Sequence, residues 1–256
     1  VPNTSDALAR RPLRSVDLEP GPVALRRTVA FLGWVVSRGT HLEWRNQDRI
    51  PRTGGVLVAP NHIGNFDPVV IAHFIGWAGR MPYALAKRDI FRTPLLGSLA
   101  RASGQIPVDR GTADAINSVR DAVAAVNDGK CVVVYTEGTI TSDPEGWPMS
   151  GRTGAARIAL ESGCPVIPVG QWGAQHVLGG KKLALPKWGK PTITVSAGEP
   201  VDLSDLRGPD PSRETLQAAT DRILDAITDQ VADIRGEQPP PGRWNHKLQR
   251  RVLPGE

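Results

Sequence analysis

His62 and Asp67 stand five positions apart in VAPNHIGNFDPVV (58–70), between a strand-like apolar run and a helix-like one. An imidazole touching a carboxylate makes a general base. The carboxylate fixes the tautomer and stabilises the imidazolium formed when the other ring nitrogen takes a proton. Towards a hydroxyl, such a base is worth about 10²–10⁴ in rate. On a continuous helix, residues i and i+5 lie roughly 140° apart and would not meet. Contact therefore needs a turn, and Gly64 and Asn65 offer one. Duller roles compete: Asp67 before Pro68 suits a helix start, and His62 could simply bond a loop.

Further residues could join this pair. SGQIPVDRG (103–111) places Arg110 at a strand end beside Gly111. The planar fork of an arginine suits phosphate. VVVYTEGTI (132–140) ends a strand on Glu137, Gly138 and Thr139, a turn that can offer backbone N–H groups and a hydroxyl to an anion. Lys87 in ALAKRDIF and Arg152 in SGRTGAARIAL can add positive charge, though each also suits a plain solvated surface.

In this order the stretches resemble the four sequence blocks of the glycerolipid acyltransferases, the family that includes 1-acylglycerol-3-phosphate acyltransferase. Asn61-His62 through Asp67 is similar to N-H-x-x-x-x-D, Gly104–Arg110 to G-x-I-P-V-D-R, Glu137–Thr139 to the core of F-P-E-G-T-R, and Val166–Val169 to V-I-P-V. The resemblance spans residues 55–170. It implies an O-acyltransferase of phospholipid synthesis. Its His62 would deprotonate an acceptor hydroxyl, oriented by Asp67, for direct attack on acyl-CoA or acyl carrier protein without an acyl-enzyme. Arg110 and the Glu137-Gly138-Thr139 turn would bind the acceptor, with Lys87 and Arg152 as neighbours. No metal or other cofactor is implied. Two departures, Thr136 for the pattern's Pro and Ile140 for its usual Arg, leave the acceptor head group open. Lysophosphatidate comes first, then glycerol 3-phosphate, another lysophospholipid or a glycolipid. A non-catalytic lipid-binding protein is the rival from another class.

The elements that must position these residues alternate. Strands are expected near 55–60, 83–87, 104–109, 131–138, 165–170 and 192–198. Helices are expected at 23–39, from Asp67 to about Gly76, and at 94–102, 112–129, 154–163 and 211–236. Such alternation predicts an α/β fold with a largely parallel central sheet flanked by helices. The domain reading is a loose polar arm (1–21), a membrane-associated helix (22–39), a catalytic domain (40–236) and a Pro-rich basic tail (237–256). The segment 141–151 reads as a mobile lid.

Composition narrows the partners. Forty per cent of the 256 residues are hydrophobic, and the net charge is +5. That excess favours anionic partners. Zinc spacing, an RNP-like strand and a recognition-helix motif are absent, which argues against nucleic acid. The nucleophile elbow G-x-S-x-G is absent too, and GGKK (179–182) lacks the P-loop spacing. Cys131 and Cys164 lie in or beside apolar runs, as buried thiols of a reducing compartment rather than a disulfide framework. No run reaches the roughly 18 apolar residues of a transmembrane helix. In 23–38, Arg26, Arg27 and Arg38 bracket Phe31, Leu32, Trp34, Val35 and Val36, so peripheral docking on an anionic membrane, at the cytoplasmic face, is expected. Oligomeric state is left open.

Overall fold

The protein is described by a computed structural model over residues 9–108, 115–178 and 190–253. Seven strands form the central sheet: β1 (His41–Arg45), β2 (Val56–Pro60), β3 (Pro82–Lys87), β4 (Ile106–Val108), β5 (Cys131–Val133), β6 (Val166–Trp172) and β7 (Thr192–Ala197). Their order is β1-β7-β6-β2-β5-β3-β4. The five strands from β6 to β4 are mutually parallel. β7 runs antiparallel to β6 and parallel to β1, so the β7–β1 pair is reversed. This meets the expected α/β class and adds a strand, β1, that its mixed sequence HLEWR concealed.

Period-two alternation builds two core layers. Val56 and Val58 of β2, Cys131 and Val133 of β5 and Ile167 and Val169 of β6 enter one cluster; Leu57, Ala59, Val132 and Val166 enter the other. The first is covered by α1 (Val23–Gly39) and α2 (Asp67–Trp77), the second by α5 (Ala115–Asn127), α6 (Gly154–Ser162) and α7 (Arg213–Arg235). Two short helices, α3 (Arg88–Arg92) and α4 (Pro94–Ala102), join β3 to β4. With both faces covered, the central strands read as continuous apolar runs. Cys131 and Cys164 are buried and unbridged, and burial pushes the Cys131 thiol up to about 12.

Helix α1 divides its faces. Leu25, Val29, Gly33 and Val36 are buried, while Phe31 and Trp34 are 61% and 55% exposed. Gly33 permits the close approach to α2: a Cβ there would fall 2.3 Å from the Trp77 ring. The helix thus packs on the core and still presents aromatics outward. Among the described residues, no helix is long and apolar enough to cross a membrane.

Both ends depart from expectation. Residues 9–21 are docked, because Ala9, Leu13 and Val16 are buried. His73 Nε2 bonds the Ala9 carbonyl at 3.0 Å, and buried Arg80 binds Glu19 at 2.7 Å. The apolar anchors are too sparse among the arginines to show a pattern. The tail forms a hairpin of β8 (Arg243–Asn245) and β9 (Arg250–Val252). Arg243 ties it to Asp221 of α7 at 2.9 Å.

Candidate active site

His62 lies two residues beyond the carboxyl end of β2, where parallel sheets present ligands. A reciprocal amide clasp fixes that end. Asn61 donates to the Gln171 carbonyl at 3.1 Å and accepts the Gln171 N–H at 2.8 Å, joining the ends of β2 and β6. The chain then turns through Ile63-Gly64-Asn65 and enters α2 at Asp67. The turn delivers Asp67 Oδ2 to His62 Nδ1 at 2.8 Å. The same oxygen accepts the N–H groups of Ile63 at 2.6 Å and Gly64 at 2.9 Å. Phe66 holds the N-cap position of α2; Asp67 looks back at the loop and does not cap its own helix.

The chemistry follows from what each group can do. A carboxylate only accepts, so Nδ1 carries the proton and Nε2 keeps its lone pair. Asp67 is fully buried while the His62 side chain remains 13% exposed, so the pair is open only at the imidazole. Burial raises the Asp67 carboxyl above its ordinary value, and the bonds from His62, Gly64 and Ile63 pull the other way.

Glu137 reaches the same turn from β5. Its Oε1 accepts the backbone N–H of His62 at 2.7 Å and its Oε2 that of Met149 at 3.0 Å. Burial pushes this carboxyl up to about 8; the two amide bonds oppose the rise, and Asp67 and Asp143 add to it. Both oxygens bond backbone amides, and Glu137 is not among the residues that line the neighbouring cavity. The ring of Tyr135 stacks on His62, with centroids 4.2 Å apart.

Two cavities meet at Tyr135. One, about 340 Å³, has an aliphatic side of Leu85, Val108, Ile116 and Val119 and a polar side of Thr136, Arg152, Thr153 and the first turn of α6. Gly138 has φ +73°, and a Cβ there would lie 2.9 Å from Arg152 Cδ, so the arginine lies across the Glu137-Gly138-Thr139 turn. Thr139 is half-buried on that turn. The other cavity, about 330 Å³, is apolar; α1, α2 and α4 enclose it through Leu25, Leu32, Val69, Ala72 and Leu99.

Not every candidate arrives. Lys87 is exposed, pairs with Asp89 and is absent from both cavity walls. Arg110 lies outside the described residues. Ile140 is buried and lines neither cavity. The segment 141–151, expected to be a mobile lid, is pinned: Thr141 N–H donates to the His62 carbonyl at 2.7 Å, and Trp147 and Met149 are buried. Among the described residues no cluster of His, Cys, Asp and Glu could hold a metal ion. Sequence reasoning missed Tyr135 and Gln171. Tyr135 sits in the quoted third block and could have been found there; a lone Gln171 carries no signal.

The acyltransferase family profile matches residues 41–172, just over half of the chain, and takes in His62, Asp67, Tyr135, Glu137 and Arg152. The chain belongs to the acyltransferase family. Among relatives, the 1-acyl-sn-glycerol-3-phosphate acyltransferase of Bacillus subtilis (strain 168) is 28% identical over 185 residues, 71% of this chain and 84% of that protein. The protein of the same name from Limnanthes alba is 29% identical over 137 residues, 52% of this chain and 44% of its own length. The crystal structure of the 1-acyl-sn-glycerophosphate acyltransferase PlsC from Thermotoga maritima superimposes with a TM-score of 0.65 at 19% identity, covering 84% of this chain and 81% of that one. The fold of this acyltransferase is thus shared with PlsC, and the family expected from the four blocks is the one found.

Proposed function

We propose that this acyltransferase moves a fatty acyl group from an acyl thioester, of CoA or acyl carrier protein, to a hydroxyl of lysophosphatidate. Nε2 of His62 takes the hydroxyl proton as the oxygen attacks the thioester carbonyl. The C–S bond then breaks, and the departing thiolate recovers the proton from the imidazolium. Asp67 holds Nδ1–H and stabilises the charge. The observation that carries this reading is the 2.8 Å His62–Asp67 contact, with the carboxylate fully buried and the imidazole open.

The two cavities support the substrate class. Arg152 and the N–H groups at the start of α6 suit a phosphate, and Arg110 is a further candidate from its block. The apolar cavity suits an acyl chain. Docking on an anionic bilayer, at its cytoplasmic face, is part of the same proposal. The outer face of α1 carries Phe31 and Trp34, and α3–α4 adds Ile90, Leu95 and Leu96, all exposed; Arg26, Arg27, Arg38, Arg88 and Arg92 stand among them.

Mass spectrometry of products from acyl-CoA with lysophosphatidate, glycerol 3-phosphate, a glycolipid and an uncharged monoacylglycerol tests the proposal. Phosphatidate should dominate, and His62→Ala should lower its formation by about 10²–10⁴ with the fold intact. A folded His62→Ala protein with near-normal turnover would end the base assignment. A wild type preferring monoacylglycerol would end the phosphate assignment.

A further inference from the structure

The C-terminal hairpin reaches towards the candidate active site through the segment 141–151. The Trp244 carbonyl of β8 accepts the Ser150 N–H at 2.9 Å. His246 Nδ1 lies 2.9 Å from Ser142 Oγ. Arg251 of β9 places Nη2 2.7 Å from Asp143 Oδ2 and 3.0 Å from Glu145 Oε1. The Asp143 carboxylate is fully enclosed, whereas Arg251 remains about one-fifth exposed. A buried carboxylate without its cation would draw the segment outward to reach water. On the other side, this same segment gives two backbone N–H groups to the site: Met149 N–H to Glu137, and Thr141 N–H to the His62 carbonyl. Glu137 in turn holds the His62 N–H. Both peptide groups of His62 are therefore fixed through a loop that the hairpin fastens from outside.

We propose that the hairpin, chiefly through Arg251 and the Trp244 carbonyl, is a positioning element for His62. It rests on the reading of His62 as the base. Arg251 touches no reacting atom; its ion pair with Asp143 holds 141–151 inward, and that segment fixes the His62 backbone so that the imidazole stacks on Tyr135, the residue the two cavities share. A displacement of about 1 Å at a catalytic group can cost about 10²-fold in rate. Loss of the strap should therefore appear in kcat, with substrate binding little changed.

The test uses the full chain, palmitoyl-CoA and lysophosphatidate, with His62→Ala as reference. Arg251→Ala should lower kcat roughly 10–100-fold, with KM for both substrates within about twofold. The Thr141 and Met149 amides should exchange hydrogen faster while those of β2 and β6 keep their protection. Adding Asp143→Asn should restore part of kcat, because it removes the stranded charge that drives the segment outward. This non-additivity is the signature of an interacting pair. Should Arg251→Ala fail to fold, Arg251→Gln carries the same comparison. Unchanged kcat with faster exchange at 141 and 149 would overturn the proposal. So would a uniform loss of protection across the sheet, which would mark a purely structural role. An active His62→Ala would instead overturn the base assignment and leave the exchange result standing.

Discussion

Two cavities of nearly equal volume share the Tyr135 wall, yet their linings have little in common. One sets Arg152, Arg157, a backbone turn and a helix start against the aliphatic side chains of Leu85, Val108, Ile116 and Val119; the other is enclosed by side chains of α1, α2 and α4. Their difference follows from where each lies. The cavity with the arginines, the polar one, has an aliphatic floor from β3, β4 and α5 and draws its polar groups from the loop after β5 and the start of α6, where N–H groups are unused by the ladder. The apolar one lies over the sheet face that carries Val133 and Ala84, beneath helices whose inner stripes are hydrophobic. His62 stacks on the wall between them. An enzyme that joins a charged acceptor to a fatty chain needs this division, because one uniform pocket would desolvate the phosphate or wet the chain.

The comparison breaks first if the polar cavity does not read charge. Arg152→Ala should raise the KM for lysophosphatidate roughly 10–150-fold, since a charge-assisted hydrogen bond is worth about 1.5–3 kcal/mol. The KM for acyl-CoA should stay near its wild-type value. Steady-state kinetics with each substrate varied in turn checks this. Equal losses on an uncharged monoacylglycerol would show that the cavity holds something other than phosphate.

The wall has its own pH dependence. Glu137 has a folded value of about 8 against an ordinary 4.5. Between those values the native state binds more protons than the unfolded one, so stability falls as pH rises through the window. The contribution is on the order of 1 kcal/mol per pH unit. Wild-type unfolding by urea should weaken from pH 5.5 to 7.5. The stability of Glu137→Gln should vary less with pH, because the amide does not titrate. Parallel slopes for the two proteins would show that Glu137 is ionised throughout.

The apolar side should respond to volume. Ala72→Phe places a ring inside the cavity from α2. Long-chain donors should lose about tenfold in kcat/KM relative to short ones, because each methylene that loses its pocket costs about 1–3 kcal/mol. A chain-length series of acyl-CoA donors measures it, and an unchanged profile would place the chain elsewhere.

How much of this was legible in sequence differed between the two sides. The His62–Asp67 turn was readable because its parts are local: six residues, two of them turn-formers, between two apolar runs. The central strands were readable because burial on both faces makes their sequences continuously hydrophobic. The apolar cavity was not, since Leu25, Ala72 and Leu99 come together only when three helices stack, and nothing in their spacing records a void. Glu137 shows the limit within a recognised motif. Its place beside the site followed from the block, but its partners are backbone amides of His62 and Met149, which leave no mark in side-chain chemistry. The docked arm and the hairpin were hidden for a related reason. Their anchors are scattered single residues such as Ala9, Glu19 and Arg251, set in stretches whose composition resembles solvated ends.

The smallest effect concerns how the apolar cavity opens. Ile90, Leu96 and Leu99 line it and are themselves exposed, and Leu95 beside them is 83% exposed. On α1, Phe31 and Trp34 stack at 6.2 Å, with Arg38 over the Trp34 ring. Aromatic and aliphatic side chains among arginines suit the interface of an anionic bilayer, and a cavity with such a rim would take its chain from the lipid side. The other cavity has an exposed apolar residue of its own, Ile116, but among its described residues none comes from α1 or α4, so the two halves should separate experimentally. Trp34→Ser with Leu95→Ser should weaken co-sedimentation with phosphatidylglycerol vesicles by a few-fold, since each contact is partial and the arginines remain. Turnover on monomeric short-chain substrates in solution should be unchanged, because neither residue lines the polar cavity or touches His62. Undiminished vesicle binding would move the docking surface away from α1 and α4. Equal loss of turnover on soluble substrates would mean that these residues support the cavity itself and do not meet the bilayer.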